Sequence, residues 1–274
     1  MALDQFRSAA ANRGLRIDGE VIADGLLHRC PVEGGKGGRK DGSYLLHLDS
    51  IAAGGFQNFR DGQGWQDWHA ETSRKLSLGE RAECRRRMDA ARMAKHSDVQ
   101  ARQADAAQRA LRLWRLAKPA TNAHAYLQHK EVNAYGIRLL RRQIVIPARD
   151  ANGMLWTLQF ISEEGGKRFL TGGRKQGCYF AIGIVREALC ICEGYATAAS
   201  IFEATGHATA VAFDAGNLVL VAQALRRKFP RLQLILCADN DNATPGNPGL
   251  SRAIEAARTV RGLLAVPSFE ECAK

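Results

Sequence analysis

Three acidic residues follow apolar runs in the last third of the sequence. Glu193 comes directly after the run at 188–192, and Asp239 and Asp241 follow the run at 232–238. Carboxylate oxygens with no His or Cys among them are the ligands that a hard cation such as Mg²⁺ prefers. The acids therefore predict a site for Mg²⁺ or Mn²⁺. The alternative is structural, since an acidic residue after a strand is commonly a helix N-cap or a solvated loop residue.

An alternation of strands and helices positions these acids. Strand-like apolar runs at 188–192, 207–213 and 232–238 alternate with helical stretches at 196–204, 218–229 and 250–260. Continuous apolar strands that are each followed by a helix are typical of a parallel sheet covered on both faces. Ligands of such α/β folds bind beyond the carboxyl ends of the strands, where the three acids lie.

A hairpin and a basic loop precede this sheet. The strand-like runs at 142–147 and 155–161 are joined by a turn with Asn152 and Gly153 at its tip. The glycine-rich stretch at 165–177 then carries four cations, and glycine lets a backbone approach a polyanion closely. We predict that these cations contact nucleotide phosphates, with a solvated loop as the alternative. They are Lys167, Arg168, Arg174 and Lys175.

The middle of the chain is its basic part. Residues 71–118 hold 13 Lys or Arg and 6 Asp or Glu, a net +7, against −1 for residues 1–70 and +5 for residues 119–274. Strong helix formers dominate from 77 to 117, and Pro119 predicts the end of a long helix or helical pair. Its arginines either follow a nucleic-acid backbone or keep a linker helix solvated. The candidates for DNA contact are Arg81, Arg85, Arg92, Arg102 and Arg109.

Residues 1–70 read as a small β-rich module, with short alternating apolar stretches between glycine-rich turns. Its single cysteine, Cys30, excludes a Cys-x-x-Cys zinc ribbon inside it. A mixed site from His28, Cys30, His47 and His69 fits no common zinc spacing, so no zinc is expected.

Composition bounds the class of protein. The chain has 274 residues, 46% of them hydrophobic, and a formal charge of +11, which excludes wholesale disorder and points to a polyanionic partner. Seven scattered cysteines suit free thiols in a reducing compartment. No apolar run approaches the roughly 20 residues of a membrane span, and the amino terminus lacks a signal-peptide core. We therefore expect a cytoplasmic protein without a membrane partner.

Several motifs together resemble a known family. The run LCICEGYATAASI at 189–201, the run CADNDN at 237–242 and the helix between them resemble the TOPRIM domain of bacterial-type primases, topoisomerases and some nucleases. More narrowly, HRCPVEGGKGGRKDGSYLLHL at 28–48, GGKRFLTGGRKQG at 165–177 and GNPG at 246–249 resemble TOPRIM primase-like proteins of plasmids and phages, which are often fused to a helicase. The resemblance covers residues 20–267.

This resemblance implies a fold, a metal site and a domain division. The fold is α/β, a Rossmann-like parallel TOPRIM sheet. By the family pattern Glu193 acts in metal binding or as general acid or base, and Asp239 and Asp241 bind metal. The predicted divisions are a β-rich module at 1–70, a basic helical segment at 71–118, a primase-like subdomain at 119–187, the TOPRIM domain at 188–267 and a tail at 268–274.

The resemblance also implies an activity. It is that of a DNA primase, which makes short RNA primers from ribonucleoside triphosphates on single-stranded DNA for plasmid or phage replication, possibly with a replicative helicase as partner. The usual Cys-based zinc domain and a helicase phosphate-binding loop are absent from the sequence, so we expect a short natural version or an excised piece. A non-catalytic TOPRIM module that binds single-stranded DNA or a replication partner, and a TOPRIM nuclease, are the alternatives.

Overall fold

The computed structural model describes residues 2–35, 40–48, 52–70, 78–239 and 247–267, with the side chains of residues 80, 83, 84, 87, 88, 91, 94 and 95 excluded. The chain forms two compact units, residues 1–100 and 101–274. The finer predicted division at residues 70, 118, 187 and 267 stays a prediction.

The first unit contains a helix and a four-stranded antiparallel sheet. The elements are α1 (Ala2–Asn12), β1 (His28–Cys30), β2 (Gly42–His47), β3 (Ala53–Asn58) and β4 (Gln66–His69), with the strands in sequential order. The predicted β-rich character of residues 1–70 is present, but α1 was missed. Its signal is Phe6 and Ala10, which are four residues apart and both fully buried against Tyr44 and Phe56.

Three of the residues considered for a mixed zinc site have other contacts in this unit. His28 Nε2 lies 2.8 Å from the carboxylate of Asp24, and Cys30 is buried in the core. His69 Nδ1 lies 3.4 Å from the carbonyl oxygen of Ala70.

The basic segment is one long helix, α2 (Leu78–Leu116), which ends before the short strand β5 (Lys118–Pro119). The proline accounts for this end, because it disfavours helix at the residue before it.

The second unit holds two five-stranded sheets. The first is antiparallel, in the order β5-β6-β7-β8-β9. Its further elements are α3 (Ala125–His129), β6 (Arg138–Leu140), β7 (Gln143–Arg149), β8 (Leu155–Ile161) and β9 (Lys167–Phe169). β7 and β8 form the predicted hairpin. Gly153 adopts φ 85° in its turn, and the Asp150 carboxylate accepts hydrogen bonds from the amides of Asn152 and Met154.

The second sheet of this unit carries the acids. Its elements are β10 (Phe180–Ile182), β11 (Ala188–Cys192), α4 (Tyr195–Thr205), β12 (Ala208–Val211), α5 (Ala215–Lys228), β13 (Gln233–Cys237), α6 (Pro248–Val260) and β14 (Leu263–Ala265). The strand order is β10-β12-β11-β13-β14, with all neighbours parallel except β10, which pairs antiparallel with β12. The predicted α/β fold with a parallel sheet is confirmed, while the edge strands β10 and β14 were missed.

Both faces of this sheet are covered, as the continuous apolar strands predicted. Leu189 and Ile191 of β11 pack with α5 and α6, including Leu218 and Ala253. Cys192 belongs to the opposite layer, with Tyr195 of α4 and hydrophobic residues of the antiparallel sheet. This packing fixes the carboxyl ends of β11 and β13 at one edge.

No helix among the described residues is long and apolar enough to cross a bilayer.

Candidate active site

Glu193 and Asp239 lie at the same edge of the parallel sheet. β11 and β13 are adjacent and in parallel register, with Ile191 opposite Leu236. Glu193 follows the last residue of β11, and Asp239 follows β13 by two residues. We call this part of the sheet the acid edge. The third predicted acid, Asp241, lies outside the described residues.

One oxygen of the buried Glu193 carboxylate lacks a hydrogen-bond partner among the described residues. Its Oε1 atom is buried, and no hydrogen-bond partner reaches it in the described part of the chain. Burial above all, and then the negative charges of Asp239 and Asp214, raise the pKa of Glu193 to about 7. The backbone amide of Ala215 and the charge of Lys167 act in the opposite direction. A buried acceptor beside other carboxylates is a place where a cation would be stabilised.

Asp214 is an additional carboxylate near Glu193, and it directly precedes the first residue of α5. Its side chain accepts a hydrogen bond from the Asn217 amide at 3.1 Å, so Asp214 is the N-cap. Asn217 is the third residue of the helix, and its side chain is fully buried.

Asn217 attaches the basic loop to the parallel sheet. Its side-chain nitrogen, Nδ2, donates to the carbonyl oxygens of Lys175, Cys178 and Ala212. Its side-chain oxygen accepts a hydrogen bond from the backbone amide of Gly177 at 2.8 Å. All of these partners are backbone atoms, so the side chain fixes the path of the loop. Sequence reasoning missed this role, because its signal is only a polar residue within an apolar helical stretch.

The structure separates the adjacent cations Lys167 and Arg168. Side chains alternate between the two faces of a strand. Lys167 Nζ is 3.9 Å from the position that a β-carbon on Gly194 would occupy, and its charge acts on Glu193. Arg168 contacts the Phe160 ring at 4.4 Å and donates to Gln143 Oε1 at 2.7 Å. Only Lys167 of this pair adjoins the acid edge.

The side chains of the adjacent Lys175 and Arg174 also have different partners. Lys175 forms an ion pair with Asp214 and lies 5.7 Å from the centre of the Phe169 ring. Arg174 stacks 4.0 Å above the Trp156 ring and pairs with Asp150 at 3.3 Å. The acid edge is therefore flanked by two lysines, while Arg174 lines a neighbouring cleft of about 740 Å³ along α5.

The predicted DNA-contacting arginines of α2 have different surroundings. Arg81 and Arg85 are exposed, and so is Arg102. Arg92 forms ion pairs with Asp67 and Asp89 in the first unit. Arg109 pairs with Asp105 at 2.9 Å and donates to the carbonyl oxygen of Thr171 at 3.0 Å, which links the helix to the basic loop. We therefore choose the exposed Arg81 and Arg85 for a test of DNA contact.

The donor set at the acid edge fits a hard divalent cation. Both described acids, Glu193 and Asp239, offer oxygen atoms, and the unsatisfied Oε1 of Glu193 gives such a cation a ready ligand. The described residues contain no cluster of three His, Cys, Asp or Glu side chains with metal-binding geometry.

Comparison with known proteins agrees with the fold of this region. Residues 187–265 match the family model of the Toprim domain. This part of the chain is a Toprim domain. It contains β11, β12, β13, β14 and the helices between them, so the predicted TOPRIM sheet is confirmed.

The relatives extend the similarity beyond the Toprim domain. A protein named DNA primase TraC from Escherichia coli is 40% identical over 97% of this chain and 26% of its own length. A second Escherichia coli protein of that name is 38% identical over 97% of this chain and 19% of its own length. The predicted resemblance to TOPRIM primase-like proteins is confirmed. The chain spans about a quarter or less of these curated relatives.

Among solved structures, a DnaG primase catalytic domain bound to single-stranded DNA is similar at a TM-score of 0.43 and 13% identity, over 63% of this chain and 73% of that chain.

Proposed function

We propose that this chain is the catalytic part of a DNA primase. It makes short RNA primers on single-stranded DNA by metal-dependent nucleotidyl transfer, for the replication of a plasmid or phage. The similarity to proteins named DNA primase TraC over 97% of the chain supports this choice of reaction. The observation that carries it is the buried Oε1 of Glu193, which no hydrogen-bond partner among the described residues reaches, beside Asp239 and with Lys167 on the same edge.

The acids form the cation site in this proposal. Glu193 and Asp239 hold Mg²⁺ or Mn²⁺, with Asp241 as a further ligand by the family pattern. A bound cation supplies charge neutralisation for the attacking oxygen, the phosphoryl group and the leaving pyrophosphate. Glu193 is well suited to this role because burial above all, and then the charges of Asp239 and Asp214, raise its pKa to about 7. A divalent cation would favour the ionised form of this carboxylate.

The lysines neutralise the nucleotide. Lys167 lies beside Glu193, and Lys175 lies beside Asp214, so both ammonium groups flank the place where triphosphate oxygens must sit. Charge-assisted contacts to phosphate are stronger than neutral hydrogen bonds and orient the group. Arg168 and Arg174 are placed away from this edge and support the loop that carries the lysines. The chain's own contribution is mainly positioning and electrostatic stabilisation.

The partners follow from the reaction. Single-stranded DNA is the template, ribonucleoside triphosphates are the substrates, and a replicative helicase is a further partner. The cytoplasm is the compartment in which these partners meet. The exposed Arg81 and Arg85 of α2 contribute contacts to the template backbone.

A primer-synthesis assay tests the proposal. The chain is incubated with single-stranded DNA, labelled ribonucleotides and Mg²⁺, and the products are resolved on a sequencing gel. We expect short ribonucleotide ladders that disappear in Asp239→Asn and Glu193→Gln. Glu255→Gln is the matched control, because Glu255 is an exposed carboxylate of α6 that pairs with Arg252. Retention of DNA without products would favour a binding module, and shortened template would favour a nuclease.

A further inference from the structure

Three arginines stand at the edge of the Toprim sheet opposite the acids. Arg186, Arg231 and Arg261 each lie two residues before the start of a strand, β11, β13 and β14 respectively. These strands are adjacent and parallel, so their amino ends share one edge. Neighbouring strands are about 4.8 Å apart, which places three strand starts within about 10 Å. The distance along β11 from Arg186 to Glu193 is about 23 Å at 3.3 Å per residue.

These arginines line two connected depressions. One, of about 560 Å³, is lined by Arg186, Lys228 and Arg231, and the other, of about 690 Å³, by Arg231 and Arg261. Both depressions also contain Pro230 and Leu232. We call the four cations Arg186, Lys228, Arg231 and Arg261 the amino-end patch.

The patch has an excess of positive charge. All four cations are exposed, and none forms an ion pair in the part of the chain that the structure describes. Glu187 is the one carboxylate that lines either depression among the described residues. Guanidinium groups bind phosphate in a planar, two-pronged geometry, so three of them on one edge favour a ligand with several phosphates.

Arg226 makes the patch rigid. Its guanidinium donates to the carbonyl oxygens of Val260, Pro230 and Leu232 at 3.0, 3.1 and 2.7 Å. These bonds tie the turn before β13 to the end of α6, and therefore fix the backbones that carry Arg231 and Arg261. A charged surface on a fixed frame loses less entropy when it binds a ligand than one on mobile loops.

The patch continues toward the acid edge. Lys228 lines one of its depressions and also the cleft of about 740 Å³ along α5, which Arg174 and Arg227 line as well. Arg174 is next to Lys175, the partner of Asp214 near Glu193. A polymer of phosphates could thus lie along one basic path from the acid edge to the amino-end patch.

We propose that the amino-end patch is a second binding surface for the phosphate backbone of single-stranded nucleic acid, separate from the acid edge. The choice of nucleic acid as the occupant rests on the proposed function, since that reaction brings a nucleic-acid strand to the acid edge. DNA and RNA share the recognised chemistry. Template DNA and primer RNA are therefore the two sources to distinguish.

The test compares two double charge reversals in the full chain. Arg186→Glu with Arg231→Glu changes the patch, and Lys118→Glu with Lys130→Glu makes the same change in charge at exposed lysines elsewhere in residues 101–274. Fluorescence anisotropy with a 30-nucleotide single strand, as DNA and as RNA, gives the affinity at several salt concentrations without divalent metal. The neutral pair Arg186→Gln with Arg231→Gln is a second patch variant, and circular dichroism monitors folding.

We expect the patch reversal to weaken binding of DNA, RNA or both roughly tenfold, and to reduce the salt slope by about 1.4, because each lost single-strand phosphate contact removes about 0.7. The neutral pair gives a smaller loss in the same direction, and the control pair changes affinity less than twofold. Equal losses in the patch and control pairs, or an unchanged affinity and slope in both folded patch variants, overturn the inference. In that case primer synthesis by the wild-type chain still supports the proposed function. Absence of any single-strand binding by the wild type contradicts both.

Discussion

Gly249 lies directly against Glu193 at the start of α6. A β-carbon on residue 249 would be 3.0 Å from Glu193 Oε1 and 2.7 Å from the carbonyl oxygen of Asp239. The second distance is shorter than real β-carbon contacts, and its partner is a backbone atom that cannot rotate away. The first turn of α6 therefore approaches both acids closely, which only glycine permits.

Substitution of Gly249 by Ala should displace the acids. We expect Gly249→Ala to lower metal-dependent primer synthesis at least tenfold, because a shift of about 1 Å in a catalytic group can cost roughly a hundredfold in rate. The matched control is Gly216→Ala. Gly216 holds the same position after its N-cap, in α5, and a β-carbon there would meet Asp214 Oδ1 at an ordinary 3.4 Å. Equal activities of the two variants would contradict the close-approach explanation.

The raised pKa of Glu193 predicts a pH dependence of stability. The pKa is about 7 in the folded chain against an ordinary 4.5, so the folded state holds more protons than the unfolded state between these values. The free energy of unfolding contributed by this group therefore falls as pH rises through this window. Glu193→Gln removes this contribution. The free energy of unfolding of the variant, measured relative to that of the wild type, should therefore rise by on the order of 1–2 kcal/mol between pH 5 and pH 8, after allowance for partial exposure.

Urea unfolding in EDTA at several pH values measures this gain. The control variant Glu255→Gln should follow the wild-type curve. A constant difference between Glu193→Gln and wild type across the pH range would show that Glu193 is not buried among negative charges.

Lys167 and Arg168 should differ in their effects on nucleotide use. Lys167 adjoins the acid edge, whereas Arg168 contacts Phe160 and Gln143. A lost charge-assisted hydrogen bond costs about 1.5–3 kcal/mol, so Lys167→Ala should lower kcat/KM for ribonucleotides roughly 10- to 100-fold. Arg168→Ala should change it less than threefold. Steady-state primer synthesis at varied nucleotide concentration measures both, and a larger effect at Arg168 would reverse the assignment.

The exposed arginines of α2 test whether this helix binds template. Arg81→Glu with Arg85→Glu should weaken single-stranded DNA binding and reduce its salt slope by about 1.4 if both residues contact phosphates. Arg92 is unsuitable for this test, because its reversal would place two acids together at Asp67. Anisotropy titrations at several salt concentrations, with Lys118→Glu and Lys130→Glu as the control, give the answer. An unchanged slope would make α2 a linker helix.

The sequence by itself determined the three central strands of the Toprim domain, β11, β12 and β13, the helices that follow them and the edge that holds the acids. Apolar runs followed at once by Glu193 and by Asp239 are local features, and the parallel arrangement follows from strands that alternate with helices. The hairpin with Asn152 and Gly153 and the end of α2 before Pro119 are likewise local, because turn chemistry and proline sterics act within a few residues.

Only the tertiary structure decided which cations reach the acids and which groups support them. Lys167 and Arg168 are adjacent in sequence, yet the pleat of β9 and the packing of its sheet send them to different surroundings. The hydrogen bonds of the buried Asn217 side chain to the basic loop and the contact of Gly249 with Glu193 each join segments that are distant along the chain. Such contacts cannot be predicted from residue types and spacing, because they depend on how complete elements pack against one another.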